Sequence, residues 1–178
     1  WVVGNLHGGE ESGADASLFT IDASTGVLSF IAAPSYESPA DAGGDNVYDV
    51  TVQVSDGNGG TDTQAIAVAV TNANENPTDL SLSANNVAEN AVNGTVVGIT
   101  ALGTDADLGT TVTYSLTDTA GGRFAINSST GVITVANGSL LNYESAPSHS
   151  VTVRVTDRGG LTYDEAFTIS LTNVNERP

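Results

Sequence analysis

The sequence predicts an all-β protein made of two tandem β-sandwiches, the first of them truncated. Three observations predict it: apolar residues alternate with polar ones, glycine-rich turns punctuate those runs, and whole stretches of the sequence occur twice. Phe19-Thr20-Ile21-Asp22-Ala23-Ser24-Thr25-Gly26-Val27-Leu28 returns as Phe124-Ala125-Ile126-Asn127-Ser128-Ser129-Thr130-Gly131-Val132-Ile133, an offset of 105 positions (124 − 19). Asn72-Ala73-Asn74-Glu75-Asn76-Pro77 returns as Asn173-Val174-Asn175-Glu176-Arg177-Pro178, an offset of 101 (173 − 72). A period of about one hundred residues is the size of a domain, so the repetition signals an array of domains and not a solenoid of short units.

The strands follow in order. Val50, Val52 and Val54 alternate with Thr51, Gln53 and Ser55, and Ile66, Val68 and Val70 alternate with alanines. Val151, Val153 and Val155 alternate with Thr152, Arg154 and Thr156, and Phe167, Ile169 and Leu171 follow. Each run has the period of two that places one face of a strand on a core. Turn chemistry separates them at Ser24-Thr25-Gly26, Gly57-Asn58-Gly59-Gly60, Ser129-Thr130-Gly131 and Arg158-Gly159-Gly160. Residues 78–178 hold about seven such strands, the number expected of a β-sandwich. Their expected inner face is Val112, Tyr114, Leu116, Phe124, Ile126, Val132, Val151, Val153, Val155, Phe167 and Ile169.

Pro77 and Pro178 close the two units in register, which sets domains at 1–77 and 78–178. Phe124 lies 46 residues after Thr78 (124 − 78), whereas Phe19 has 18 residues before it. Equal repeats would therefore leave roughly 28 residues of the first unit outside the sequence. Trp1-Val2-Val3 reads as mid-strand, and the whole reads as a segment of something longer.

Twenty-one acidic residues against four arginines and no lysine give a formal charge of −17. Nucleic acid and anionic membranes are poor partners for such a surface, because each phosphate contact requires a cation. The absence of cysteine excludes disulfides, thiolate metal sites and thiol catalysis. No apolar run approaches the ~20 residues that span a bilayer. The acidity serves either solubility or the concentration of carboxylates around divalent cations, and position decides between these.

Position points to the second. Acidic motifs occur in a fixed order: Ala88-Glu89-Asn90, Asp105-Ala106-Asp107-Leu108-Gly109, Ser35-Tyr36-Glu37 with Asn142-Tyr143-Glu144, Asp56-Gly57 with Asp157-Arg158-Gly159, and the two linkers. Together they resemble the cadherin repeat, in particular the cadherin-like tandem domains of large bacterial surface proteins, over nearly the whole sequence. The resemblance implies tandem Greek-key sandwiches of cadherin-like, immunoglobulin-like architecture with Ca2+ held between consecutive repeats. Carried over by position, Glu37 comes from the upper repeat. The linker gives Asn74, Glu75, Asn76 and the Ala73 carbonyl, and the lower repeat gives Glu89, Asp105, Asp107 and Asp157.

Calcium takes six to eight oxygens at about 2.3–2.6 Å, which suits such a set. Its six carboxylates carry a formal −6, enough for three divalent ions. The sequence departs from the motif at Ser35 and Asn142, where the family has Asp, and at Glu75 and Asn72 in the linker, so two or three ions are expected. Like charges 4 Å apart repel by about 4 kcal/mol at an effective dielectric near 20. Calcium would turn that repulsion into a clamp that stiffens the joint. Asp56 is expected to be an idle half-site, and Asn173, Asn175, Glu176 and Glu144 the half-site for a following repeat.

The implied function is a calcium-rigidified, extracellular or cell-surface module for adhesion or for a structural stalk. Its partners would be homophilic or heterophilic surface proteins and the neighbouring repeats of the same polypeptide. The alternative is a binding module whose sandwich loops recognise carbohydrate or protein. An enzyme ranks last. His7 and His149 fall in different units beside no nucleophile motif, read as surface histidines, and support no catalytic triad. The segment Asp56-Gly57-Asn58-Gly59-Gly60-Thr61-Asp62 lacks the distant bidentate Glu of a calcium loop and reads as a glycine-rich turn.

Overall fold

A computed structural model describes residues 12–176 apart from 82, 84, 108 and 110, with the backbone alone at 98 and 99. The strand read at Trp1-Val2-Val3, His7 and the Arg177-Pro178 end of the second linker lie outside the described residues. The protein divides into two compact units, Trp1–Ala73 and Asn74–Pro178. The described structure is all-β. Its helical segments are the single 3-10 turns Ala16–Leu18 and Gly138–Leu140, and no helix of the described residues is long and apolar enough to cross a membrane.

In the first unit, β1 (Phe19–Ile21) pairs antiparallel with β2 (Leu28–Phe30), and β3 (Val47–Ser55) pairs antiparallel with β4 (Thr61–Ala69). Their shared core is aromatic. The rings of Phe19 and Phe30 stack with centroids 4.4 Å apart, and Tyr48 meets Phe30 edge-on at 5.1 Å, arrangements that suit the ring quadrupole. The β1–β2 turn explains its repeated sequence. Asp22 Oδ1 accepts the Ser24 and Thr25 N–H groups at 2.8 and 2.9 Å, and Asn127 Oδ1 does the same for Ser129 and Thr130 at 3.0 and 2.9 Å. With the Ser24 hydroxyl as the leading contributor, these bonds hold Asp22 down to about 2. Gly131 has φ +69°, and any Cβ there would collide with the Ala101 carbonyl, so only glycine closes this turn.

The second unit contains β5 (Asp79–Ser81), β6 (Asn86–Ala88), β7 (Val96–Thr100), β8 (Leu102–Thr104), β9 (Thr113–Asp118), β10 (Phe124–Ile126), β11 (Val132–Val135), β12 (Ser148–Thr156) and β13 (Thr162–Thr172). One sheet has the order β6-β13-β12-β9 and the other β10-β11-β7, with β5 paired to β8. Nine segments stand where seven strands are expected because two runs change partner midway. The β5–β6 run leaves β8 for β13, and the β7–β8 run leaves β11 for β5. Counting each run once gives seven (9 − 2).

Val151, Val153 and Val155 are fully buried against Phe124, Ile133, Val135, Leu141 and Ile169. One expectation about this core fails. In β11 the buried residues are Ile133 and Val135, and Val132 is half-exposed. A period of two in so short a strand does not reveal which parity faces inward.

The units differ in the loop before β3. From Ser35 to Asn46 is 11 positions and from Asn142 to its counterpart Pro147 is 5, so the first unit carries six more residues (11 − 5). A buried carboxylate holds this longer loop. Asp15, 3% exposed, accepts the Ala42 N–H at 2.6 Å and the Asp49 N–H at 2.8 Å, one on each oxygen. Asp15→Ala would leave both donors unmatched, and we expect it to destabilise the first unit by about 2 kcal/mol. The check is the urea midpoint of the transition reported by Tyr48, with Asp49→Ala, an exposed change on β3, as control. Equal losses in the two variants would show that Asp15 does not hold the loop.

Candidate metal centre

Strand register in the second unit brings four pieces of polypeptide to one end. Asp79 on β5 faces Thr104 on β8, and the Thr78 N–H donates to the Thr104 carbonyl at 2.9 Å. The residues before β5 therefore lie beside those after β8, which are Asp105-Ala106-Asp107. On the other sheet Thr113 of β9 faces Thr156 of β12, so the segment entering β9 lies beside the β12–β13 hairpin that begins at Asp157.

The side chains at this end are interlocked. The Glu75 N–H donates to Asp107 Oδ2 at 3.1 Å, and the Asp107 N–H donates to Asp105 Oδ1 at 2.9 Å. Asn74 Nδ2 donates to Asp157 Oδ2 at 2.7 Å, while Asp157 Oδ1 accepts the Leu161 N–H at 2.8 Å. Gly159 makes room for this, because a Cβ there would stand 2.5 Å from the Asn74 carboxamide. Burial pushes the Asp157 carboxyl up, but Asn74 and the backbone N–H groups of Leu161, Gly160 and Gly159 outweigh it and hold the group below its ordinary value. Asp107 and Asp157 are each 5% exposed.

The donor set is all oxygen, as hard divalent cations require. One observation tests the fit: Asp105 Oδ2 is buried with no hydrogen-bond partner among the described residues. An ionised oxygen taken from water without a partner is costly, and a cation would satisfy it.

Glu89 is not part of this end. It follows β6, which runs parallel to β13 with Ala88 opposite Thr172. Asp157 precedes β13, and the eleven residues of that strand separate the two carboxylates by about 30 Å at ~3.3 Å per residue. The expectation that Glu89 shares a cation with Asp105, Asp107 and Asp157 is therefore corrected. The Glu89 carboxylate, 2% exposed, accepts the Val174 N–H at 2.8 Å and the Tyr143 N–H at 2.7 Å. These bonds, Val174 first, hold it below its ordinary value against the effect of burial.

Around it Asn173 Nδ2 donates to Glu144 Oε1, and Asn90 Nδ2 donates to Glu176 Oε1, each at 2.7 Å. The set expected from Glu144, Asn173, Asn175 and Glu176 thus gains Glu89 and Asn90. The signal missed in the sequence was the parallel pairing of the first strand run with the last.

In the first unit, Asp56 repeats the hairpin geometry of Asp157, its Oδ1 accepting the Gly60 N–H at 2.9 Å. Glu37 lies in the six-residue-longer loop, where the Ser35 hydroxyl donates to its Oε2 at 3.5 Å and Asn46 Nδ2 donates to the Tyr36 carbonyl at 2.9 Å. Ala73 and Asn76 are exposed.

His149 is half-buried where a surface residue was expected: its Nε2 is buried without a hydrogen-bond partner among the described residues, and its ring lies 6.3 Å from that of Phe124.

A profile of the cadherin domain matches residues 84–172, 89 of the 178 residues (172 − 84 + 1). Over 99 residues, 54% of its length, the sequence is 34% identical to human Cadherin-related family member 2, and it spans 8% of that protein. The fold is similar to human Protocadherin-24 EC1-2, with a TM-score of 0.70 at 22% identity over 95% of this protein and 82% of that one. It is also similar to Drosophila N-cadherin EC1-4, with a TM-score of 0.68 at 21% identity over 94% and 40% of the respective lengths.

Burial and the nearby Arg123 cation depress the His149 pKa, so the folded unit resists a proton that the unfolded polypeptide accepts. The stability held by neutral His149 is complete above the unfolded value of about 6.5. It is lost as pH falls from there toward the lower folded pKa. His149→Phe should flatten the fall in melting temperature over that window. Parallel curves for the two proteins would contradict the assignment.

Proposed function

The protein belongs to the cadherin domain family, and from that premise we propose that it is a pair of calcium-binding repeats of an extracellular adhesion or stalk protein. The observation that carries the reading is the oxygen cluster of Asn74, Glu75, Asp105, Asp107 and Asp157, with the buried Asp105 Oδ2 lacking a partner among the described residues. These five would hold calcium at the start of the second repeat. Glu37, the Ala73 carbonyl and Asn76 join them in this proposal on their sequence motifs alone. The bound ion would supply positive charge to the carboxylates and oxygen coordination in place of water. It would thereby fix the joint between repeats.

Glu89 and Glu144, with Asn173, Asn175 and Glu176, form a second set in the proposal, at the other end of the second repeat. Adhesion through surface proteins of the same or another kind fits the family, and the bacterial placement rests on the sequence motifs alone. No catalytic step is assigned.

Calcium should raise the melting temperature by binding the folded state alone. Calorimetric titration of residues 1–178 should lose stoichiometry in Asp105→Asn/Asp107→Asn. Glu89→Gln should leave that binding in place, because its carboxylate belongs to the other end. Full stoichiometry in the double variant would move the site elsewhere and overturn the proposal.

A further inference from the structure

The sequence holds three Asn-Gly steps: Asn58-Gly59, Asn93-Gly94 and Asn137-Gly138. At such a step the backbone nitrogen of the glycine can attack Cγ of the asparagine. A bond forms between that nitrogen and Cγ, the bond from Cγ to Nδ2 breaks and ammonia leaves, giving a five-membered succinimide. Water then opens the ring at either carbonyl, producing aspartate or isoaspartate, so the reaction needs no oxidant and no cofactor. Glycine favours it because no side chain shields its nitrogen and its backbone reaches conformations closed to other residues. The fold decides whether it proceeds. The nitrogen must not be committed to an acceptor, and the carboxamide must be free to swing toward it.

Two of the steps are locked. The Gly94 N–H donates to the Val135 carbonyl at 2.8 Å, and Asn93 Oδ1 accepts the Gly138 N–H at 2.9 Å. That second bond also occupies the nitrogen that would attack Asn137. Asn137 Oδ1 in turn accepts the Ser139 N–H at 3.2 Å and the Ser139 hydroxyl at 2.7 Å, capping the 3-10 turn. Gly138 is buried and lies against the Ala91 carbonyl.

Asn58 differs from both at the glycine nitrogen. Asn58 and Gly59 are both exposed at the tip of the β3–β4 hairpin. Asp56 Oδ1 accepts the Asn58 N–H at 2.8 Å and the Gly60 N–H at 2.9 Å, passing over the residue between them. The Gly59 N–H therefore has no acceptor among the described residues, and Gly59 adopts φ +96° with open space around it. The carboxamide of Asn58 is held by one bond, from Nδ2 to the Asp56 carbonyl at 3.2 Å.

We infer that Asn58 is a selective site of spontaneous deamidation and that the fold protects Asn93 and Asn137. The product adds a carboxylate two positions from Asp56. In its isoaspartyl form it also inserts a methylene into the backbone of a turn closed by the bond from the Asp56 N–H to the Gly60 carbonyl at 3.0 Å.

The test is peptide mapping by mass spectrometry of the whole protein after incubation in mildly alkaline buffer, with fragmentation that separates isoaspartate from aspartate. In the folded protein Asn58 should lose its amide roughly tenfold faster than Asn93 or Asn137, a ratio that corresponds to about 1.4 kcal/mol of barrier. In denaturant the three rates should converge. Asn58→Gln should remove the fast conversion while leaving the melting temperature unchanged. Equal rates at the three sites in the folded protein, or earlier loss at Asn93 or Asn137, would overturn the inference.

Discussion

The first strand run of the second unit changes partner between Ser81 and Asn86, and the separation of Glu75 from Glu89 depends on it. While it pairs with β8, the segment before it is brought beside Asp105 and Asp107. Once it runs parallel to β13, the residue that follows it is carried to the far end of the last strand. One run therefore delivers Glu75 to one end of the sandwich and Glu89 to the other. The separation follows from backbone hydrogen bonding, and the side chains inherit it.

A protein with a formal charge of −17 still buries carboxylates. Asp15, Asp41, Glu89, Asp107 and Asp157 are all at most 7% exposed. Backbone donors make this tolerable: Asp15, Asp41 and Glu89 each accept a backbone N–H on both oxygens. An ionised group must be hydrogen-bonded when taken from water, and loops, together with the outer edge of β3 at Asp49, supply donors that no sheet ladder uses. Asp105 breaks the pattern, with one oxygen accepting the Asp107 N–H and the other left over. That leftover oxygen sets Asp105 apart from the carboxylates whose two oxygens are both committed to donors.

Much of this was legible in the sequence. The alternation at Val151, Val153 and Val155 marked a buried face, and the duplicated Ser24-Thr25-Gly26 and Ser129-Thr130-Gly131 segments marked equivalent turns. The hydrogen bonds from Glu75 to Asp107 and from Asn74 to Asp157 join residues that the cadherin resemblance had placed together. Glu89 was misplaced because the motif carry-over assigned all the acidic motifs of the lower repeat to one joint. The parallel β6–β13 pairing that contradicts this joins residues about 84 positions apart, a separation that no local pattern encodes. His149 looked like a surface residue because a lone histidine in a polar run carries no sign of the Phe124 ring packed beside it. The linker too was assigned by its proline to the first unit. Asn74–Pro77 nevertheless group with the second, where Asn74 and Glu75 find their hydrogen bonds.

Amide hydrogen exchange of residues 1–178, compared in calcium and in chelator, tests the central claim that backbone pairing sorts the acidic residues into two separate sets. Calcium should slow exchange at Glu75 and Leu161 as one group and at Tyr143 and Val174 as another. Asp105→Asn/Asp107→Asn should abolish the first effect while sparing the second. Loss of protection at Tyr143 and Val174 in that variant, or a single concerted response at both ends, would contradict the account.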